Sequence, residues 1–253
     1  MRGLRGELPL PRHVARSNGM NVPRTIVILG ASRGIGRATA LALAAPGARL
    51  VLAARDEAAL ARVAADAREH GAEAEPVTCD ITAEPHVLRL METAAASGRI
   101  DMLVNSAGGA VVRPFEELTL AEWEETLRAG LTGAFLACKH AAPHMPDGGL
   151  IVNVASVAAR QAFPGWSAYA AAKAGLLAFS NAIREELRPR GIRVTVVLPA
   201  ATDTGLWDAV PGEWNRANML RAEDVGRAIA HLATQPAYMT TEELVVGHVA
   251  GRL

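Results

Sequence analysis

Residues 25–36 read Thr25-Ile-Val-Ile-Leu-Gly30-Ala-Ser-Arg-Gly34-Ile-Gly36, and this stretch decides the fold. Its first five residues form a continuous apolar and mostly β-branched run, which predicts a buried parallel strand. Three glycines follow at once, and residues 37–45 have a helical pattern. Glycines between a strand and a helix let the backbone approach a pyrophosphate, which the free N–H groups and dipole of the helix attract. A strand, a glycine loop and a helix in this order therefore predict a dinucleotide-binding unit.

Alternating strand and helix patterns extend from this unit to the end of the chain. The chain has 253 residues, half of them hydrophobic, which fits one large α/β domain with a buried core. No repeat and no long linker interrupts the alternation. We predict a single doubly wound Rossmann-type domain over residues 24–253, with a parallel sheet of about seven strands. Residues 24–110 would form its cofactor half and residues 111–253 its catalytic half.

Residues 1–23 differ in composition from the rest. Four arginines accompany one acid, Glu7, and prolines stand at positions 9, 11 and 23. The segment has no apolar core for a secretory signal, and its prolines interrupt an amphipathic transit helix. We expect a disordered tail, or a translation start at Met20, and exclude this segment from the fold.

The composition excludes several classes of protein. Lys plus Arg and Asp plus Glu both number 26, so the chain carries no net charge and no basic stripe for nucleic acid. No apolar run approaches the roughly 18 residues that span a membrane. Cys79 and Cys138 lack metal-ligand spacing, and we expect them to be small core residues in a reducing compartment. We predict a soluble, cytoplasmic protein without a metal.

A second informative stretch lies at residues 149–180. The apolar run from Leu150 to Val154 predicts a buried strand, which places Ser156 at its carboxyl end. Tyr169 and Lys173 follow on a predicted helix, where residues four apart share one face. A phenol ionises near pH 10, and a neighbouring cation lowers that pKa, so such a phenol can exchange a proton near neutrality. Each residue alone is a common coincidence, and only the combination points to catalysis.

This combination resembles the active-site segment of the short-chain dehydrogenase/reductase family, whose signature is Ser followed by Tyr-x-x-x-Lys. The glycine loop, G-x-x-x-G-x-G, is similar to the version of that family. The resemblance implies hydride transfer between NADP(H) and a small alcohol or carbonyl compound. Ser156 would polarise the substrate oxygen, and Tyr169 would exchange its proton. Lys173 would lower the pKa of Tyr169 and hold the nicotinamide ribose.

Further motifs in the same order extend the resemblance. Asp80 stands where the family binds adenine, residues 105–108 resemble its Asn-Asn-Ala-Gly motif, and residues 199–204 resemble its Pro-Gly-x-x-x-Thr motif. The cofactor-binding residues that the resemblance implies are Gly30, Ser32, Arg33, Gly34, Ile35, Gly36, Arg55, Asp80, Ile81, Asn105, Ala107, Gly108, Tyr169, Lys173, Pro199, Thr202 and Thr204.

The end of the second predicted strand, residues 49–54, favours NADP over NAD. An NAD enzyme places an acid there for the ribose 2′-hydroxyl, whereas this chain has Ala54 followed by Arg55. A guanidinium suits a 2′-phosphate, and Arg33 resembles the second basic residue of NADP-preferring members. The alternative is that both arginines are solvated loop residues.

Several positions depart from the family pattern. The chain has Leu29 for Thr before the glycine loop, Ser106 for Asn, Ala200 for Gly, and no terminal Asp-Gly-Gly. The most serious departure is Gly130, which stands where the family has a fourth catalytic residue, Asn. It leaves open a catalytically degenerate NADP(H)-binding sensor or scaffold protein, although Ser156, Tyr169 and Lys173 favour an enzyme.

Two further expectations concern the surroundings of the site. The segment between Thr204 and Arg221 is a candidate substrate lid, because such loops lie at the carboxyl ends of strands. Its residues Trp207 and Trp214 could equally be packing anchors. The family associates through its two long helices, which implies a homodimer or homotetramer.

Overall fold

The computed structural model describes residues 25–250, so the predicted tail over residues 1–23 lies outside the described residues. Strands and helices alternate along the chain, as the sequence pattern predicts. The helices are α1 Gly34–Leu43, α2 Glu57–Glu69, α3 Glu84–Ala95, α4 Leu120–Leu127, α5 Gly133–Ala141, α6 Ser167–Leu187 and α7 Ala222–Ala233. The strands are β1 Thr25–Leu29, β2 Arg49–Ala54, β3 Glu73–Thr78, β4 Met102–Asn105, β5 Leu150–Val154, β6 Arg193–Pro199, β7 Thr202–Asp203, β8 Leu220–Arg221 and β9 Glu243–Val246.

Seven of the strands form one parallel sheet in the order β3-β2-β1-β4-β5-β6-β9. The chain runs outward from β1 to β3 and then crosses back to β4 on the other side of β1. This reversal is the switch point where open α/β sheets form a ligand crevice. The prediction of a doubly wound parallel sheet is confirmed. Strands β7 and β8 pair separately beyond the end of β6.

The core has two layers because successive strand residues point to opposite faces of the sheet. Ile26 and Ile28 of β1 belong to the cluster that packs against α1, α2 and α7. Val27 and Leu29 belong to the cluster under α3, α5 and α6. Cys79 and Cys138 are buried free thiols, as expected for small core residues. Within residues 25–250, no helix is long and apolar enough to cross a membrane.

Two local features of the helices bear on the site. The sequence Thr119-x-x-Glu122 is the pattern of a capping box. The box is present at the start of α4, since Thr119 Oγ1 accepts from the Glu122 backbone N–H at 3.3 Å and Glu122 Oε2 accepts from the Thr119 N–H at 3.0 Å. Between α4 and α5 the helix contains a π-helical turn over Arg128–Thr132. A π turn is a frequent feature of functional sites, and this one contains Gly130.

Candidate active site

The carboxyl ends of four neighbouring strands bring the predicted site residues to one edge of the sheet. Leu29, the last residue of β1, pairs with Asn105, the last of β4. Asn105 in turn pairs with Asn153 of β5, so the glycine loop, the 105–108 segment and Ser156 lie side by side. The sequence predicts this convergence, because parallel strands end at the same edge.

The glycine loop lies directly against the segment that follows β4. Gly30 has φ of +78°, and a Cβ there would stand 2.7 Å from the Ala107 backbone nitrogen. A Cβ at Gly36 would stand 2.2 Å from the Gly30 carbonyl oxygen, so neither position accepts a side chain. Helix α1 begins at Gly34 rather than at the predicted residue 37, and no side chain caps its N-terminus. Its first N–H groups can therefore bind an anion, which fits a pyrophosphate.

The far side of the loop contacts the segment after β6. A Cβ at Gly34 would stand 3.2 Å from Thr204 Cγ2, which shows that Thr204 packs on the glycine loop. Pro199 ends β6, and Thr202 is buried while its hydroxyl donates to the Ala200 carbonyl at 2.9 Å. The structure thus brings two distant predicted cofactor segments together.

The basic residues predicted for a 2′-phosphate are both exposed. Arg33 and Arg55 make no ion pair with other residues of the 25–250 range. The neighbouring Asp80 carboxylate accepts hydrogen bonds from the Thr82 N–H at 2.9 Å and the Thr82 hydroxyl at 2.8 Å. These bonds and, to a lesser extent, the Arg55 charge keep the pKa of Asp80 below its usual value. The adjacent Ile81 packs on α5, where a Cβ at Gly133 would stand 2.6 Å from Ile81 Cδ1.

Ser156, Tyr169 and Lys173 form one cluster. The Lys173 Nζ donates to the Val154 carbonyl at 2.8 Å and lies 5.6 Å from the centre of the Tyr169 ring. Ser156 accepts from the Ala158 N–H at 3.1 Å and lies near the Tyr169 hydroxyl. A Cβ at Gly108 would stand 3.8 Å from Lys173 Nζ, so this cluster adjoins the 105–108 segment.

The expected lowering of the Tyr169 pKa by Lys173 is not found. Burial raises the pKa of Tyr169, and the hydrogen bond with Ser156 only partly opposes this effect. Burial also lowers the pKa of Lys173 to about 8. The lysine points at a backbone carbonyl and lies beside the phenol ring, and burial disfavours its own charge as well as the phenolate.

The side chain of Asn105 points into the core instead of the cofactor crevice. Its Nδ2 donates to Asn153 Oδ1 at 2.7 Å, and Asn153 Nδ2 donates to Ser180 Oγ at 2.8 Å. The Nδ2 of Asn105 is therefore occupied within the protein, whereas its Oδ1 has no hydrogen-bond partner among the described residues. Sequence reasoning missed this buried hydrogen-bonded series of side chains. Its signal was Asn153, a polar residue inside the apolar run of β5.

Gly130 is buried in the π turn and packs against α6. A Cβ at this position would stand 3.1 Å from Ala172 Cβ, next to Lys173 in the chain. Next to Gly130 in the π turn, the Leu131 side chain packs on Gly175 of α6. A Cβ at Gly175 would stand 2.8 Å from Leu131 Cδ2. Small residues thus allow the π turn and α6 to approach closely at the helix face that carries Lys173.

The tryptophans of the predicted lid are packed against each other and against the active-site helix. Trp207 Nε1 donates to the Thr202 carbonyl at 3.0 Å, and its ring lies 4.8 Å from that of Trp214. Trp207 also contacts Trp166, whose ring lies 5.3 Å from that of Tyr169. Of the two expected roles, packing is thus observed. Sequence analysis gave no role to Trp166.

No group of His, Cys, Asp and Glu side chains in the described part of the chain could hold a metal ion. The groups assembled at the sheet edge are instead a cradle for an anion, a phenol with a serine hydroxyl, and a buried amine. Together they can bind a phosphate-containing cofactor and exchange a proton with an oxygen atom.

Known proteins match this chain over most of its length in sequence and in fold. The sequence model of the short chain dehydrogenase family matches residues 24–213. The 3-oxoacyl-[acyl-carrier-protein] reductase of Synechocystis sp. is 36% identical over 220 residues, which cover 83% of this chain and 89% of the relative. The cis-4-hydroxycyclohexanecarboxylate dehydrogenase of Sinomonas cyclohexanicum is 39% identical over 227 residues, covering 85% and 90%.

A solved structure is similar over nearly the whole fold. It is an alcohol dehydrogenase from the archaeon Thermococcus sibiricus in complex with 5-hydroxy-NADP. Its TM-score is 0.83 at 28% identity, and the match covers 91% of this chain and 98% of that one.

Proposed function

Because the chain belongs to the short-chain dehydrogenase/reductase family, we propose that it is an NADP(H)-dependent oxidoreductase of small alcohols and carbonyl compounds. The observation that carries this proposal is the contact cluster of Ser156, Tyr169 and Lys173 beside Gly108. These residues meet at the same sheet edge as the glycine loop. A proton-exchanging group and a cofactor cradle therefore adjoin each other.

The cluster suggests a role for each side chain. Tyr169 gives its proton to a carbonyl oxygen during reduction, and its raised pKa keeps that proton bound near neutrality. Ser156 hydrogen-bonds the same oxygen and stabilises the negative charge that develops there. Lys173 lies close enough to the ring to compensate a phenolate during alcohol oxidation.

The described residues fit a dinucleotide phosphate. The uncapped N-terminus of α1 offers free N–H groups to a pyrophosphate, and the exposed Arg33 and Arg55 can bind a 2′-phosphate. Bound NADP(H) supplies hydride transfer to or from the substrate carbon. Ala54 offers no carboxylate to an NAD ribose, which supports NADP as the preferred form.

The related proteins suggest which compounds to test first. One relative is named for a cyclic hydroxy acid and another for a 3-oxoacyl thioester. We therefore propose a secondary alcohol or the corresponding ketone as the substrate class. The test is a panel of cyclic and acyclic ketones and alcohols, in which turnover is monitored through the absorbance of the reduced cofactor.

Gly130 supports a second candidate, a protein that binds NADP(H) without turnover. The panel separates the two candidates when the Gly130→Asn variant is included. Turnover by the parent protein supports the enzyme. Absence of turnover in the parent, with activity restored in Gly130→Asn, would identify a degenerate binder.

We also propose association into a homodimer or homotetramer. Leu120 of α4 and Phe135 of α5 are exposed, and these helices are the expected contact surface. Light scattering of the parent and of a Phe135→Glu variant tests this, because a charge at a packed contact should shift the population towards monomer.

A further inference from the structure

We propose that Trp166 is a positioning residue for Tyr169 and that Trp207 links it to the segment of residues 204–218. This inference rests on the proposed function, because it assigns a determinant of the acid–base group. It concerns the side chains of Trp166, Trp207 and Trp214, for which the family signature gives no role.

The positioning role follows from where Tyr169 lies on its helix. Tyr169 is in the first turn of α6, and residue Trp166 at the N-cap provides no side-chain hydrogen bond to that turn. The first turn of a helix carries N–H groups without intrahelical partners and opens more readily than the middle. Packing must therefore hold the Tyr169 ring in place.

Trp166 provides this packing. Its ring is only 8% exposed and meets the Tyr169 ring edge-on, with centroids 5.3 Å apart and planes at 74°. Edge-to-face pairs of this kind contribute attraction beyond that of their buried area. Lys173 Nζ also lies near the phenol ring, 5.6 Å from its centroid. The Tyr169 ring thus contacts both an indole and an amine.

Trp166 itself depends on the segment after β6. Its ring lies 5.6 Å from that of Trp207. The indole of Trp207 donates to the Thr202 carbonyl, and its ring lies 4.8 Å from that of Trp214 with the planes tilted by 57°. Trp214 Nε1 donates to the Val210 carbonyl at 3.4 Å. A displacement of this segment would therefore remove the outer support of Trp166.

Two ion pairs of Arg216, here called the clasp, connect the end of the same segment to its beginning. Arg216 binds Asp203 at 2.8 Å and Asp208 at 2.5 Å. All three side chains are substantially exposed, so the clasp contributes little energy and can open. A segment held by a weak clasp and an aromatic contact can move without unfolding the sheet. Its position then determines how firmly the Tyr169 ring is held.

The experiment compares Trp166→Leu, Trp207→Leu and Trp166→Phe with the parent. Trp123→Leu is the matched control, since Trp123 is a partly buried tryptophan on α4 outside this cluster. Three quantities are measured for each variant: kcat, the dissociation constant of NADPH, and the exciton couplet of adjacent indoles in circular dichroism. We expect kcat to fall about 10- to 100-fold in both cluster leucine variants, since a shift near 1 Å costs about that much. NADPH binding should stay within about threefold of the parent.

Phenol ionisation gives a readout that needs no turnover. The chain has two tyrosines, and the second, Tyr238, is highly exposed, so in a Tyr238→Phe background the ultraviolet titration reports Tyr169 alone. Burial raises the pKa of Tyr169 against the opposing Ser156 hydrogen bond. Trp166→Leu should lower the titration midpoint, and Trp123→Leu should leave it unchanged.

The outcomes separate this inference from the proposed function. Rescue of kcat by Trp166→Phe, with a weakened couplet in the cluster variants and an unchanged couplet in Trp123→Leu, supports the positioning role. Parent-like kcat and an unshifted phenol titration in Trp166→Leu and Trp207→Leu would overturn it. An equal loss of NADPH binding and kcat would also overturn it, because that result indicates general misfolding. A parent without turnover contradicts the proposed function, and the phenol titration then still decides the positioning role.

Discussion

Gly130 and Ala172 are in direct contact across the crossing of the π turn and α6. A Cβ at Gly130 would stand 3.1 Å from Ala172 Cβ, which is closer than an ordinary van der Waals contact. The position where the family signature has Asn is thus occupied by a residue that allows close helix packing. The departure has a structural consequence whatever its effect on catalysis.

We expect Gly130→Ala to lower the free energy of unfolding by up to about 2 kcal/mol. Overpacking a tight site destabilises the fold by roughly 1–3 kcal/mol, while replacing a helical glycine by alanine stabilises the helix by about 1 kcal/mol. In an Ala172→Gly background the crowding is removed, and Gly130→Ala should become stabilising. Urea unfolding of the four proteins measures both effects. The same sign in both backgrounds would contradict the contact.

Arg55→Asp should weaken NADPH binding by about 1.5–3 kcal/mol and shift preference towards NADH. The range is that of charge-assisted hydrogen bonds, and the exposure of Arg55 favours its lower end. Arg62→Asp makes the same charge change at an exposed position of α2 and is the control. Isothermal titration measures the affinity of the parent and both variants for NADPH and NADH. Equal affinity of the parent for NADPH and NADH would refute the proposed preference.

Tyr169→Phe should abolish turnover and retain NADPH binding, because only the hydroxyl is lost. In the parent, alcohol oxidation needs the phenolate, and the raised pKa of Tyr169 makes that form scarce near neutrality. The oxidation rate should therefore rise with pH beyond neutrality, whereas carbonyl reduction keeps its proton donor over the same range. Steady-state rates in both directions test this. Near-parent turnover in the phenylalanine variant would exclude Tyr169 as the acid–base group.

Lys173 should make stability depend on pH above neutrality. Burial lowers its pKa in the folded protein from 10.5 to about 8, so between these values the unfolded chain binds more protons. Stability then rises with pH over this window. Urea unfolding from pH 7.5 upward should show a rise in the parent relative to Lys173→Met, which has no titrating group there. Parallel pH profiles for the two proteins would exclude a depressed lysine.

The buried hydrogen bonds that link the side chains of Asn105, Asn153 and Ser180 should be important for stability. Asn153→Leu removes the acceptor of Asn105 Nδ2 and the donor to Ser180 Oγ. A buried group without a partner costs about 1–3 kcal/mol, so the loss should lie at or above that range. Ser180→Ala removes one partner only and should cost less. Unfolding by urea gives both values, and a smaller loss in Asn153→Leu than in Ser180→Ala would disagree with this order.

The sequence predicts the architecture well because its signals are local and periodic. The apolar run of β5 has the predicted bounds, and the Thr119 capping box is present. Convergence of the glycine loop with Ser156 also follows, since parallel strands share one end. The bounds of α1 differ at both ends, because Gly34 and Gly36 enter the helix that they were predicted to precede and the helix ends at Leu43 rather than at residue 45.

What the sequence does not reveal depends on side-chain direction and burial. The amide of Asn105 points into the core, which no spacing rule determines. The pKa of Tyr169 rises because desolvation outweighs the hydrogen bond with Ser156, a balance that only packing can settle. The contact between Trp166 and Trp207 joins residues far apart in the chain and carries no sequence signature.

The late position of β9 in the sequence affects how the chain folds while it is synthesised. Strand β6 is buried along its whole length, yet its outer neighbour, β9, follows only after the excursion through residues 200–242. While the chain emerges from the ribosome, the apolar edge of β6 stays open until residue 246 is available. An open apolar edge recruits strands from other chains. Synthesis that stalls between residues 205 and 242 should therefore release an aggregation-prone product, although every predicted catalytic and cofactor-binding residue has already been made.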